Sequence, residues 1–268
     1  MTSSASGRGA EQMAETSNKQ RYNVSAVVHA LEILGLISTH GVILLDEAAE
    51  ATGVSKSTAY RLLTTLELSG LVERTPPRGF RPGAEALRWA NSILSHLDVR
   101  ILADPHLRRL QAYTGETVNL AILRSSQLVY VRVLESGASL RAAWAGLYVP
   151  FHAAALGKAV AAQLEPSRLA QMLEPEPYEA FTKLTATTWS KVSAELELVR
   201  ARGYATDLEE VSPGVACVAA PIFAGRRVVG ALSVSAPRVR MTDALIEDIA
   251  TRVMADARSI SEALPESV

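Results

Sequence analysis

Apolar and polar positions are most sharply sorted in residues 55–69. Ala59, Leu62, Leu63 and Leu66 recur at the i, i+3, i+4, i+7 spacing of one helix face. Ser57, Arg61, Thr64 and Thr65 fall on the opposite face, with Tyr60 on its flank. Ser55 is placed to cap the first turn, because its hydroxyl can accept an N–H left free there, and Gly70 stands where the helix should stop. Upstream, residues 45–52 predict a short helix and Gly53-Val54 a tight turn into the Ser55 cap. Residues 25–39 predict a first helix through Val27, Val28, Leu31, Leu34, Leu36 and Ile37, with Ser25 as its candidate cap. Downstream, 71–74 and 80–81 alternate like two strands around the turn-forming 75–79. Helix, glycine turn, capped helix and hairpin in that order make a winged helix-turn-helix.

The pattern then changes. Residues 84–97 predict an amphipathic helix whose wide apolar stripe (Leu87, Trp89, Ala90, Ile93, Leu94, Leu97) suits packing on its own domain or on a second copy. Residues 99–113 predict another helix, with a kink or fresh start at Pro105. Alternation at 116–123 and 128–134 predicts two antiparallel strands, and 140–144 a third. Helices follow at 152–164, 166–173 and 190–202, then strands at 204–208, 215–223 and 228–236. A closing helix at 243–263 is capped by Thr242. The order suggests an α+β domain, one antiparallel sheet with helices on its faces. The expected organisation is a disordered tail at 1–22, a winged helix-turn-helix at 23–83, a linker or dimerisation helix at 84–98 and a sensor-like domain at 99–268.

Composition narrows the classes. A chain of 268 residues with 48% apolar and 21% charged content has material for two cored domains. No run is long and apolar enough for a membrane helix, and the first residues lack the apolar core of an export signal. A single cysteine, Cys217, excludes an internal disulfide and a multi-cysteine metal site, which fits a reducing cytoplasm. The net charge of −1 says little, but its distribution says more. In the first domain Lys56, Arg61, Arg74, Arg78, Arg81 and Arg88 lie at or after the second helix of the motif, whereas Glu32, Asp46, Glu47 and Glu50 lie before it. A positive side of this kind suits DNA.

Several blocks in order resemble the IclR family of transcription regulators: VSAVVHALEIL, TGVSKSTAYRLLTTLELSGLVER, TGETVNLAIL, VYVRV, VPFHAAALGKA, GYATDLEE and GVACVAAPIFAGRRVVGALSVSAP. The resemblance spans about residues 24–263. It implies an amino-terminal winged helix-turn-helix, a GAF-like effector domain, and homodimers or homotetramers on palindromic double-stranded promoter DNA. Pro82 departs from the family's usual leucine and is expected to fray the wing strand.

Read on the residues, Ser57, Thr58 and Arg61 would approach base edges, while Lys56, Tyr60, Arg74, Arg78 and Arg81 would meet phosphate or the groove beside the wing. In the second domain Ser233 and Ser235 share a sheet face, as do Cys217 and Ala219 on the neighbouring strand, and Asp207 ends a short strand. Free N–H groups where the chain enters the alanine-rich helix could hold a carboxylate. The resemblance points to the same places: Ala155, Leu156, Asp207, Cys217, Ser233 and Ser235. Trp144, Leu147, Tyr148 and Phe151 would form an apolar lid, tilting the effector from a small organic acid towards an aromatic one. Each has a plainer reading: serines bonded to backbone, a buried thiol acting as a small hydrophobe, aromatics in the core.

Other chemistry is tested and set aside. Gly157-Lys158 invites a phosphate loop, but position 152 is His and 159 is Ala. Five scattered histidines give no metal-binding pair, with His152 beside the helix entrance the one to follow. No catalytic residue, cofactor or metal is expected. The rivals are a GAF-like enzyme or redox protein using Cys217, which would need a lowered pKa, and a protein-binding adaptor.

Overall fold

The capped segment forms helix α3 (Lys56–Leu68), with Ser55 Oγ accepting from Thr58 N at 3.2 Å. It is preceded by α1 (Ser25–His40) and α2 (Leu45–Thr52). Gly53, at φ +66°, makes the turn between α2 and α3 in the left-handed region that side chains resist. Ala59, Leu63 and Leu66 are buried, packing with Ile33, Ile37, Ala48 and Phe80 in one core. The computed structural model describes residues 23–95, 98–136 and 146–265. Ser25 is not the cap of α1. Val24 holds that position, with no side-chain hydrogen bond.

The wing is β2 (Val72–Thr75) against β3 (Gly79–Pro82). A two-residue strand, β1 (Ile43–Leu44), pairs with β3 from the other side, so the order is β1-β3-β2. Two residues are too few to show alternation, which is why sequence pattern missed it. Pro82 occupies the last rung, opposite Val72, where a missing N–H does least harm to the ladder.

The chain divides into two compact units, Met1–Ile93 and Leu94–Val268. Helix α4 (Ala84–Ser95) carries the division inside the segment expected as a linker. Helix α5 (Asp98–Thr114) continues through Pro105 instead of breaking there. Its buried face of Val99, Ala103, Leu107 and Leu110 holds both halves on the sheet, which offsets one missing backbone bond.

The second unit is a five-stranded antiparallel sheet of β4 (Thr117–Arg124), β5 (Gln127–Leu134), β6 (Ala205–Leu208), β7 (Val215–Ala224) and β8 (Arg227–Pro237). Their order is β5-β4-β8-β7-β6. Alternation sorts the faces. Val118, Leu120, Val218, Leu232 and Val234 pack with α5 and the closing helix α9 (Asp243–Ala263), which Thr242 caps as expected. Ala121, Ala205, Ala219 and Ala231 point the other way. They form a floor of small side chains under α6 (Ala155–Ala161) and α8 (Trp189–Arg202), with α7 (Pro166–Ala170) between those helices in sequence. The expected strand at 140–144 lies outside the described residues.

Helix α6 is shorter than the alanine-rich run predicts, seven residues in place of 152–164. The chain runs close over it at Pro150. A Cβ on Gly157 would sit 2.0 Å from the Pro150 carbonyl oxygen, so glycine there answers to packing and not to phosphate. Among the described residues no helix is long and apolar enough to cross a membrane.

Candidate functional site

Strand register builds the wall of a cavity of about 200 Å³ in the second unit. Asp207 lies opposite Cys217, Cys217 opposite Ser235, and Ser235 opposite Thr117, in one row across four strands. The next row on that face runs Ala219, Ser233, Asn119. Leu147, Tyr148, Ala155, Leu156, Phe181 and Val211 give the lining apolar surface, while Glu116, Tyr130, Glu135, Ser136 and Ser212 add polar groups beyond the wall. Such a chamber is the usual form of a small-molecule site.

The wall is internally bonded. Asn119 Nδ2 donates to Ser233 Oγ at 3.2 Å and Ser235 Oγ at 3.0 Å, and Ser235 Oγ lies 3.0 Å from Cys217 Sγ. Asn119 is buried, and with both amide hydrogens spent its Oδ1 has no partner. A buried acceptor left open costs about 1–3 kcal/mol. Asp207 accepts at Oδ1 from Glu210 N at 2.7 Å. Burial pushes its pKa up to about 6, against the Glu210 N–H bond that holds it down. Burial also pushes the Cys217 thiol up to about 12, and Asp207 adds to the rise. A thiol so held is neutral at physiological pH, the opposite of what a nucleophile needs. Tyr130, also lining the cavity, has its phenol raised chiefly by burial.

On α6, Lys158 is almost fully buried, with Nζ 2.6 Å from Glu210 Oε1 and 3.9 Å from Glu195 Oε1. Burial raises the Glu210 carboxyl and Lys158 opposes that rise. The pair anchors the 209–211 turn whose N–H groups hold Asp207. His152 is a satisfied core histidine, with Nε2 2.9 Å from Glu179 O and its ring against Tyr178 and Phe181. Among the described residues no cluster suits a metal ion.

In the first unit α3 presents Lys56, Ser57, Thr58, Tyr60 and Arg61 as exposed side chains. Ser57 and Thr58 share hydrogen bonds with Ser55 Oγ at 2.9 and 3.0 Å. A surface groove joins α3 to the wing through Tyr60, Arg74, Arg78 and Phe80. Arg74 lies 5.5 Å from the Tyr60 ring centroid and bonds Glu67, and its pKa is raised by the Tyr60 and Glu67 hydrogen bonds. The expected separation of charges is therefore corrected. Lys56 pairs with Asp46, Arg74 with Glu67, Arg81 with Glu73 and Arg88 with Glu85, so four of the expected cations have local acidic partners. Counting acids only upstream of the helix left out Glu67, Glu73 and Glu85. Among the described residues Arg61 and Arg78 enter no such pair.

Comparison with known proteins decides what carries these two sites. Residues 26–76 match the IclR helix-turn-helix domain and residues 91–262 the bacterial transcriptional regulator IclR C-terminal domain. The chain belongs to the IclR family. It is 36% identical over 242 residues to the HTH-type transcriptional regulator BhcR of Paracoccus denitrificans, covering 89% of this chain and 86% of that one. The crystal structure of Thermotoga maritima IclR superposes with a TM-score of 0.70 at 30% identity, covering 90% and 99% of the two chains. An IclR homologue from Microbacterium hydrocarbonoxydans, solved with 4-hydroxybenzoate, superposes with a TM-score of 0.73. At 22% identity, with 90% and 98% covered, that last likeness speaks for the fold alone. The chain is thus a transcriptional regulator with a helix-turn-helix followed by an effector-binding domain, and its relatives are regulators, not enzymes.

Within this IclR-family frame the cavity gathers Leu147, Ala155, Leu156, Asp207, Cys217, Ser233 and Ser235 of the sequence-predicted ligand residues, with Tyr148 beside them. Phe151 is not on the cavity wall. It is buried in the core with Val149, Leu156 and Ala159, because the chain turns inward between Pro150 and α6. Trp144 lies outside the described residues. Sequence reasoning passed over Asn119 and Tyr130, and weighed Lys158 only as part of a phosphate loop. The alternation that placed Asn119 inward on β4 was visible, and a polar residue inside an otherwise apolar inward row was the available signal.

Proposed function

We propose that this IclR-family chain binds palindromic promoter DNA as a homodimer or homotetramer in the cytoplasm, and that a small organic acid in the second unit's cavity controls that binding, governing a catabolic operon. The observation that carries the effector reading is the wall itself: Asn119, Ser233, Ser235, Cys217 and Asp207 converge on a chamber to which Leu147, Leu156, Phe181 and Val211 give apolar surface. Serine hydroxyls and the N–H groups entering α6 at Ala155 and Leu156 can hold a carboxylate, while Leu147, Tyr148, Leu156 and Phe181 take the carbon skeleton. Tyr148 and Phe181 favour an aromatic or larger acid. Helix α6 is too short to lend much dipole, so the donors act locally.

For DNA, α3 would enter the major groove with Ser57, Thr58 and Arg61 towards base edges. Lys56, Tyr60, Arg74, Arg78 and Arg81 would take phosphates and the groove by the wing. The ion pairs of Lys56, Arg74 and Arg81 are solvent-exposed, so a phosphate can displace their carboxylates at little cost. A melting-temperature screen of organic acids tests the effector reading. A ligand at one hundred times its Kd adds about 2.7 kcal/mol, a rise of roughly 5–10 °C for a chain of this size. The rise should appear with the intact protein and disappear with Ser235→Leu, which fills the polar wall. An acid that stabilises both equally binds somewhere else.

A further inference from the structure

The polar wall has an unbalanced ledger of donors and acceptors. Asn119 gives one amide hydrogen to each serine, and Ser235 is further engaged with Cys217. That leaves Asn119 Oδ1 as a buried acceptor with nothing to accept, set in the lining of the cavity. Asp207 contributes a second acceptor to the same lining, with only Oδ1 engaged by the backbone. Acceptors of this kind make a site selective in one direction. A ligand that brings a hydrogen bond donor satisfies them, whereas one that brings only carbonyl or ether oxygen leaves them unpaired or repels them.

We infer that the effector is an acid carrying a hydroxyl or N–H donor besides its carboxylate, and that Asn119 is the residue that selects it over the matching keto, ether or unsubstituted acid. This rests on the proposed effector reading and sharpens it. The donor meets Asn119 Oδ1, the carboxylate takes the serine hydroxyl and backbone N–H side, and no covalent step is involved. As placed, Nδ2 donates to both serine oxygens, and the carbonyl end is the one left for the ligand. A reversed amide would leave N–H groups open there and would select a carbonyl instead, so the two arrangements predict opposite rankings.

Calorimetric titration of the full chain with two matched series reads the ranking directly: lactate, pyruvate and propionate, and 4-hydroxybenzoate, 4-methoxybenzoate and benzoate. In whichever series binds, the hydroxyl-bearing member should bind at least tenfold tighter than both analogues. In Asn119→Leu the gap should shrink below threefold. The ranking in the unaltered chain stands by itself should that variant fail to fold. A keto, ether or unsubstituted acid that ties or exceeds its hydroxy partner overturns the donor requirement while leaving the effector reading in place. Binding by no member of either series removes the acid-effector reading and the donor requirement with it.

Discussion

Arg61 is exposed on α3 and, among the described residues, enters no ion pair, unlike Lys56, Arg74 and Arg81. It needs no local bond broken to reach a base. Arg61→Ala should weaken binding to the promoter site by about 1–3 kcal/mol, the worth of a bidentate guanine contact, with a much smaller loss on random duplex. Equal losses on both, measured by fluorescence anisotropy at one salt concentration, would show that it touches only backbone. Asp207 gives a second residue-scale prediction. Its pKa of about 6 lies above the ordinary carboxylate value, so between about pH 4 and 6 the folded chain holds a proton that the unfolded chain has released. The stability it contributes is full below pH 4 and is lost as pH rises through 6. Asp207→Asn keeps the acceptor for Glu210 N and removes that loss. It should gain on the order of 2–3 kcal/mol over the unaltered protein at pH 7.5 and nothing at pH 4, by urea unfolding. A constant difference at both pH values would contradict the buried, neutralised carboxyl. The serines, Cys217 and Asp207 were legible as single residues because strand alternation fixes a side chain's face. Asn119 and Phe151 were not, since their roles depend on a neighbour's hydrogen bond and on a turn.

At the scale of elements, legibility followed length. Long periodic helices came through almost to the residue, with α9 and its Thr242 cap the clearest case. The strands were placed to within a residue or two, because inward and outward positions differ sharply in burial. Short pieces failed. Strand β1 has two residues and no pattern to offer, and α6 was over-extended because an alanine run reads as helix while Pro150 and Gly157 decide where it can begin. The cap of α3 can be tested alone. Ser55→Ala removes the acceptor for Thr58 N and the partner of the Ser57 and Thr58 hydroxyls, so it should cost about 1 kcal/mol and loosen the DNA-facing turn. Urea unfolding of the chain reads the first effect. An unchanged unfolding midpoint would mean that the cap is not formed in solution.

At the scale of the whole chain, two-domain organisation and family were legible from motif order, whereas charge was not. Arg74 and Arg81 looked free in sequence because Glu67 and Glu73, seven and eight residues away, meet them only through the hairpin and the end of α3. Regulation demands that the cavity and the helix-turn-helix share one equilibrium, and such coupling is reciprocal. The most direct test is the Kd for promoter duplex, at fixed salt, with and without a saturating acid, for the intact protein and for Ser235→Leu. The intact protein should change its DNA affinity by roughly 5- to 150-fold on adding acid, whereas Ser235→Leu should bind DNA normally and ignore the acid. An undiminished response from the filled cavity, or none from the intact one with acid bound, would contradict the account.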